Sequence, residues 1–399
     1  MRRIPASHRA LAPARRIPAP LIYLDHAATT PLHPEALAAM LPHLGAVGNP
    51  SSLHTAGRRA RVAVDRARGT VADVLGCEPG EVVFTSGGTE SDNAAIRGAL
   101  AAQPDRPGLV TGSTEHKAVL ATAKALAAAG HPVAILPPGS DGRLAPDAVA
   151  QACDATTGLV SAMWVNNETG AVNPVAEIAS VAHESGALAH TDAVQAAGHF
   201  SLDVDALGVD LLSLSAHKLG GPQGVGALYV RAGTPFAGPQ TGGAQERGRR
   251  GGTENVAGIV GFATALALAE AEREATAARI DGLRRDLLAR LREALGDRLH
   301  PNTPDACAPH ILSVSIAGGL DGEMLLAALD LDGVAVSAGS ACTSGALEPS
   351  HVLLALGVPR ELAAATLRFS LGRTTTTAEV ARAADTVGRV VSRLLALTA

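Results

Sequence analysis

The sequence predicts an α/β protein: a mostly parallel sheet sandwiched by helices, followed by a smaller α+β domain. Three observations lead there. From residue 82 onward, short and nearly continuous apolar runs alternate with alanine-rich stretches of helical length, the pattern of strands buried on both faces. Residues 253–297 are apolar in their first half and charged in their second, as expected of one long helix or two abutting helices that hinge two domains. The 399 residues, 47% hydrophobic and 18% charged, suffice for two cores.

Taken in order, residues 1–20 (MRRIPASHRALAPARRIPAP) are basic, proline-rich and free of acids. A transit-like leader shares that composition, but no secretory apolar segment is present, and the expectation is a disordered extension. The large domain is expected over 21–270, with its first residues free to pack on the small domain. Its strands are EVVFTS, GLVTGS, HPVAILP, GLVSAMWV, GALAHTDA, VDLLSLSA and GVGALYV. The small domain, 271–399, takes its extended segments from ILSVSIAG, the AALDLDGVAVSAG run and LRFSLGR, with helices between.

Composition excludes some partners. A formal net charge of -5 provides no basic field for nucleic acid, and no apolar run approaches the roughly 18 residues of a membrane span. Cys77, Cys153, Cys307 and Cys342 lie far apart without C-x-x-C spacing, so neither a metal site nor a disulfide framework is expected, and a reducing cytoplasm fits.

Ligands of open parallel sheets gather at the carboxyl ends of the strands. Four predicted strands finish there in a polar group: His116, Asn167, Asp192 and Lys218. A fifth, EVVFTSGGTESDN, passes through Gly87 and Gly88 into a helix whose first turn holds Thr89, Glu90 and Ser91. Free N–H groups and the positive dipole end suit a phosphate there; the alternative is a helix start that Thr89 or Ser91 caps. An amine, a carboxylate, an imidazole and a phosphate cup together suggest pyridoxal phosphate. Lys218 would bind its aldehyde, Asp192 would keep the pyridine nitrogen protonated, His116 would stack on the ring, and Ser215 and His217 would reach the phosphate. By spacing alone, Asp192 and Lys218 are equally compatible with a structural ion pair.

At these residues the chain resembles the cysteine desulfurases, of fold type I among the pyridoxal phosphate enzymes. The segments are YLDHAATTPLHPEAL, GNPSSLHTAGRRA, FTSGGTESDN, TEHKAV, VNNETGAVNPV, HTDAVQ, LSAHKLGGPQGVGALYV, GGAQERGRRGGTEN, VSAGSACTSGALEPSHVLLALG and LRFSLGR, in order from about residue 22 to 375. The resemblance implies Thr89 and the Gly88 backbone at the phosphate, His116 on the ring, and Asn167 near the cofactor hydroxyl and the substrate. It implies Asp192 at the pyridine nitrogen, Gln195 at the phenolic oxygen, Ser215 and His217 at the phosphate, and Lys218 at the aldehyde. It also implies Thr253 at the phosphate of the other subunit of a homodimer, Arg368 at the substrate carboxylate, and Cys342 as the thiol that takes sulfur from L-cysteine as a persulfide, leaving L-alanine. The attacking group must be thiolate, so a proton-accepting neighbour such as His116 is expected. The other three cysteines match nothing catalytic.

The implied sulfur acceptor is a protein, either an iron–sulfur scaffold or an enzyme of tRNA or cofactor thiolation. The sequence stops at VVSRLLALTA without the extended tail that some family members use to dock a scaffold, so such docking is not implied. His26 stands where the family varies, and no change of chemistry is inferred from it. Selenocysteine lyase, or another aminotransferase-like enzyme of the same fold group, remains the alternative.

Overall fold

In a computed structural model of the chain, residues 21–338 and 348–398 are described. They begin with β1 (Ile22–Tyr23) and helices α1 (Pro34–Leu44) and α2 (Thr55–Leu75). Next come β2 (Val82–Thr85), α3 (Gly88–Ala101), β3 (Gly108–Gly112), α4 (Lys117–Ala128), β4 (Val133–Leu136), α5 (Pro146–Ala152) and β5 (Thr157–Ser161). The large sheet is completed through α6 (Val175–Glu184), β6 (Leu188–Asp192), α7 (Val204–Leu207), β7 (Leu211–Ser215) and β8 (Gly226–Val230).

The seven strands β2 to β8 lie in the order β2-β8-β7-β6-β5-β3-β4. Pairings from β7 through β4 are parallel, and only β8 runs against its neighbours β7 and β2. Alternation along each strand shows why the runs are apolar throughout. Val82, Phe84, Val110, Val160, Leu212 and Leu214 enter a core under α2, α6 and a later helix, while Val83, Leu109, Leu159 and Leu211 enter a second core under α3 and α4. The central strands are buried on both faces, so charged groups are kept to the strand ends and the polar residues inside them, Thr111, His190, Thr191 and Ser213, are hydrogen-bonded. The edge strand β4 is only half-buried.

The 253–297 stretch forms two abutting helices, α8 (Val256–Ala271) and α9 (Arg273–Leu295), meeting at Glu272. Helix α8 packs on α1 and α2 and sends Ile259, Phe262, Ala263 and Leu266 into the first core. Helix α9 buries Ile280, Leu283, Leu287, Leu291 and Leu295 at helical spacing in a separate core. That core is shared with β9 (Leu299–Pro301), β10 (Ile311–Ile316), α10 (Gly322–Leu331), β11 (Val334–Ala335), β12 (Thr366–Ser370) and α13 (Thr377–Thr398); the short helices α11 (His351–Ala355) and α12 (Arg360–Ala364) lie between β11 and β12 in the chain. Strands β12-β10-β9 form an antiparallel sheet. Strand β1 pairs in parallel with β11, and Ile22 and the following Leu24 enter this second core, so residues from both ends of the described chain pack there. The AALDLDGVAVSAG run forms a strand at Val334–Ala335 and a single bridge from Ser337 to Arg368, because its first residues close α10, where Leu325 and Leu329 bury one helical face. No described helix is long and apolar enough to cross a membrane.

Candidate active site

The carboxyl ends of β3, β5, β6 and β7 open into one crevice of about 610 Å³, and His116, Asn167, Asp192 and Lys218 all line it. Asp192 is the last residue of β6, and Lys218 ends a short turn that follows β7 directly. The ladder continues past β5, where the N–H of Trp164 donates to the Asp192 carbonyl, and this carries Asn167 to the same edge.

Lys218 Nζ donates to the carbonyls of Ala27 (2.6 Å) and Ala28 (2.8 Å). Its contacts are these carbonyls rather than the Asp192 carboxylate, so the ion-pair alternative is not what the geometry shows. Burial, and then the charge of Arg368, pushes the amine down to about 8 against partial opposition from Asp192 and Asp25. An amine near 8 sheds its proton far more easily than a surface lysine. Asp192 Oδ1 accepts from the Val194 N–H at 2.9 Å. Burial raises its pKa, opposed by the charges of His116 and Lys218.

His116 caps α4: its Nδ1 accepts from the Ala118 N–H at 3.2 Å, so the neutral ring carries its proton on Nε2. Burial holds it below the ordinary histidine range, although the side chain is open to the crevice. Ligand atoms of Asp92, His116 and Asp192 lie within 4.8 Å of one another. They form a cation-seeking corner that a protonated ring nitrogen suits as well as a metal ion.

Beside the crevice, a second hollow of about 530 Å³ is lined by Thr29, Gly87, Gly88, Thr89, Ser215 and His217. It faces the start of α3, whose N-cap Gly87 makes no side-chain capping bond. Ser91 is not the cap, since its Oγ is spent on Thr85 Oγ1 at 2.8 Å and the Ala227 carbonyl. A Cβ on Gly88 would stand 2.8 Å from Val194 Cγ2, so the close approach of backbone to this hollow needs glycine. His217 Nδ1 lies 3.1 Å from Thr29 Oγ1, and burial pushes the ring down to about 4, hence neutral.

Arg368 projects from β12 into the crevice and is 4% exposed. Its Nη1 donates to the Asn167 carbonyl and its Nη2 to Asp25 Oδ1, each at 2.8 Å, while the buried Nε has no partner. Arg373 is exposed and lines a different, smaller cavity. Gln195 lines the crevice and donates from Nε2 to the Ala27 carbonyl at 2.9 Å.

Thr253 is exposed and lines neither hollow of its own chain. It follows a segment pinned by a buried fork, in which Arg68 donates twice to Glu246 at 2.7 Å and Glu246 also accepts from the Phe84 N–H at 3.0 Å. This fork holds Glu246 and Arg247 at φ 46 and 58, a region that costs a non-glycine residue energy.

Cys342 lies outside the described residues. On its flanks, Ser337, Ala338 and His351 line the crevice, Ser350 Oγ donates to Glu168 Oε2, and His351 Nε2 donates to the Glu115 carbonyl at 3.0 Å. Cys77, Cys153 and Cys307 are free and half-buried, and burial raises all three thiols, Cys77 to about 12. That makes them poor nucleophiles.

Sequence reasoning missed Asp25, Asp92, Glu115, Glu168 and His310. Asp92 alone had a local signal, one turn beyond Gly88 on the helix that faces the hollow.

These residues fit pyridoxal phosphate. An uncapped helix start, a glycine that a Cβ would displace, a lysine depressed by burial, an unpaired buried guanidinium Nε and a buried carboxylate without a bonded cation are what that molecule and an amino-acid substrate would satisfy.

Comparison with known proteins agrees. The class-V aminotransferase family profile matches residues 22–383. The chain is similar to a cysteine desulfurase of Cereibacter sphaeroides, 47% identical over 94% of this chain and 97% of that protein. It is also similar to cysteine desulfurase IscS of Dictyoglomus turgidum, 44% identical over 94% and 95% respectively. Among solved structures, a NifS-like protein superposes with a TM-score of 0.87 at 36% identity, covering 94% of this chain and all of that one.

Proposed function

The chain belongs to the class-V aminotransferase family and is a pyridoxal phosphate-dependent cysteine desulfurase, and from that premise we propose the residue roles by which it works. Its substrate is L-cysteine, and sulfur passes to an acceptor protein. When bound, pyridoxal phosphate supplies an electron sink that weakens the bonds at the substrate's α-carbon. The observation that carries the reading is the convergence of Lys218, Asp192, His116, the uncapped α3 start and Arg368 on one crevice.

Gly88, Thr89, Ser215 and His217 hold the phosphate. Asp192 holds a positive charge at the ring nitrogen, His116 covers the ring face, Gln195 serves the phenolic oxygen, and Asn167 stands between cofactor and substrate. Lys218 anchors the aldehyde carbon and, once free, holds the proton taken from the substrate's α-carbon. Arg368 orients the substrate through its carboxylate, using Nε and the donors not spent on Asn167 and Asp25. Cys342 takes the sulfur: the substrate's C–S bond breaks, an S–S bond forms on Cys342, and alanine leaves after proton return. His116, neutral, with Nδ1 held by the Ala118 N–H and its proton on Nε2, offers the sulfur centres a hydrogen-bond donor rather than the proton acceptor that the sequence suggested.

Thr253, pinned outside its own crevice, serves the phosphate of a second copy, so the working unit is a homodimer with shared sites. Large and small domains divide near residue 270. We assign the enzyme to the cytoplasm, with an iron–sulfur scaffold or a thiolation enzyme as acceptor.

The test uses purified holoenzyme, L-cysteine and a thiol reductant. Alanine and sulfide should appear in equal amounts; Lys218→Ala should form neither, and Cys342→Ala should bind cofactor yet form no persulfide. Sulfur transfer by Cys342→Ala at the parent rate would refute the assignment.

A further inference from the structure

Behind the crevice, a smaller cavity of about 90 Å³ is lined by His26, His199 and His310, and Gln195 and Lys218 face both hollows. His310, just before β10, is 3% exposed. Its ring stacks on His199 at 3.8 Å and 5°, its Nε2 lies 3.2 Å from Gln195 Oε1, and its Nδ1 has no partner.

This chain of contacts fixes every proton. The Ala27 carbonyl can only accept, and it already accepts from Lys218, so the Gln195 atom facing it at 2.9 Å must be the amide nitrogen. Gln195 Oε1 therefore faces His310 and can only accept, which requires the proton of the neutral imidazole on Nε2 and leaves Nδ1 bare. The opposite tautomer would set two lone pairs against each other and bury an unpaired N–H. Burial, reinforced by His199, Arg368, His26 and Lys218, holds His310 neutral. With Oε1 engaged, the one function Gln195 has left for the crevice is its second N–H.

We propose that His310 is a positioning residue: its Nε2–H locks the Gln195 amide so that a donor, not an acceptor, meets the cofactor's phenolic oxygen. The proposal rests on the assignment of Gln195 to that oxygen. His199 keeps the imidazole in plane. Without His310 the Ala27 carbonyl alone would hold the amide, and the flipped rotamer, oxygen facing oxygen, would be populated for part of the time, weakening the cofactor's anionic form.

The test compares holoenzymes bearing His310→Phe, which keeps the stack without a donor, and His310→Gln, whose amide nitrogen stands where Nε2 was. Gln195→Ala and the Gln195→Ala/His310→Phe pair complete the cycle. The readouts are the pH midpoint of the bound cofactor's visible absorbance change and the affinity of apoprotein for pyridoxal phosphate. His310→Phe should raise the midpoint by about 0.5–1 unit and weaken cofactor binding about 3- to 10-fold. His310→Gln should restore both, and the double variant should match Gln195→Ala. If His310→Phe does not fold, His310→Asn, whose amide is too short to reach Gln195, replaces it with the same expectation. A midpoint that moves in Gln195→Ala but not in the Phe or Asn variant overturns the role of His310 and leaves Gln195 in place. A midpoint unmoved by Gln195→Ala overturns the Gln195 assignment and this proposal with it.

Discussion

Replacing Arg368 with lysine separates the fork from the charge. The guanidinium already serves the Asn167 carbonyl and Asp25, each at 2.8 Å, and its Nε and the second hydrogens of both Nη atoms remain for a substrate carboxylate. A lysine ammonium has three donors on one atom; with two committed to the same partners, the carboxylate keeps at most one. One charge-assisted hydrogen bond is lost, worth about 1.5–3 kcal/mol, so KM for L-cysteine should rise about 10- to 150-fold. Because the retained charge still neutralises Asp25, the fold should escape the penalty of about 3–5 kcal/mol that follows when one partner of a buried pair is removed. Initial rates of alanine formation against cysteine concentration give KM and kcat, and the cofactor absorbance reports loading, which should not change. An unchanged KM in Arg368→Lys, with a raised KM in Arg373→Lys, would refute the reasoning.

Lys218→Met should stabilise the apoprotein at neutral pH. The folded-state pKa is about 8 against an ordinary 10.5, so the unfolded chain binds more protons between those values and parent stability rises with pH across that window. The cost, about 3 kcal/mol, is fully present below 8; the variant should lead by that much at pH 7 in urea melts and by little above 10.5, and a parent more stable at pH 7 would contradict the burial argument. Glu246→Ala strands the buried Arg68 charge and should cost about 3–5 kcal/mol in the same melts, whereas a loss below about 1 would mean the fork is not holding the 246–253 segment. Thr253→Ala should weaken cofactor binding about 5- to 10-fold if it supplies a phosphate hydrogen bond across a dimer, and unchanged affinity would remove it from the shared site.

The mostly parallel sheet was legible because β2, β3, β5, β7 and β8 are buried on both faces and therefore mostly apolar and free of charge. The same rule located His116, Asn167, Asp192 and Lys218, since the first polar groups after such runs emerge at the strand ends. What escaped has no such pattern. Asp25 reaches Arg368 from a position 343 residues away, and His310 reaches Gln195 across 115. No local spacing encodes a partner brought by the packing of segments so distant in the chain. The AALDLDGVAVSAG run misled for a related reason: its apolar residues serve a helix face first and a two-residue strand second. Cys342 was assigned through resemblance alone, as a lone thiol among small residues carries no pattern of its own.

The wall beneath the crevice shows how burial divides labour among like groups. Asp92, Glu115 and Asp192 are all buried, and burial pushes all three carboxyls up, with Asp192 raising the other two further. Three carboxylates in so little water do not ionise together. Asp192 alone faces groups that favour its charged form from several sides, His116, the Val194 N–H and Lys218, whereas Asp92 gains only a hydroxyl from Ser213 and Glu115 only the Met163 N–H. Negative charge therefore settles on Asp192, at the strand end where a protonated ring nitrogen is received. Because Lys218 spends its donors on two carbonyls rather than on that carboxylate, Asp192 and Asp25 only partly offset the effect of burial, and a fraction of the amine stays neutral near physiological pH. The burial that costs the apoprotein stability is thus what prepares both ends of the cofactor's site, and loading it should return that stability by mass action.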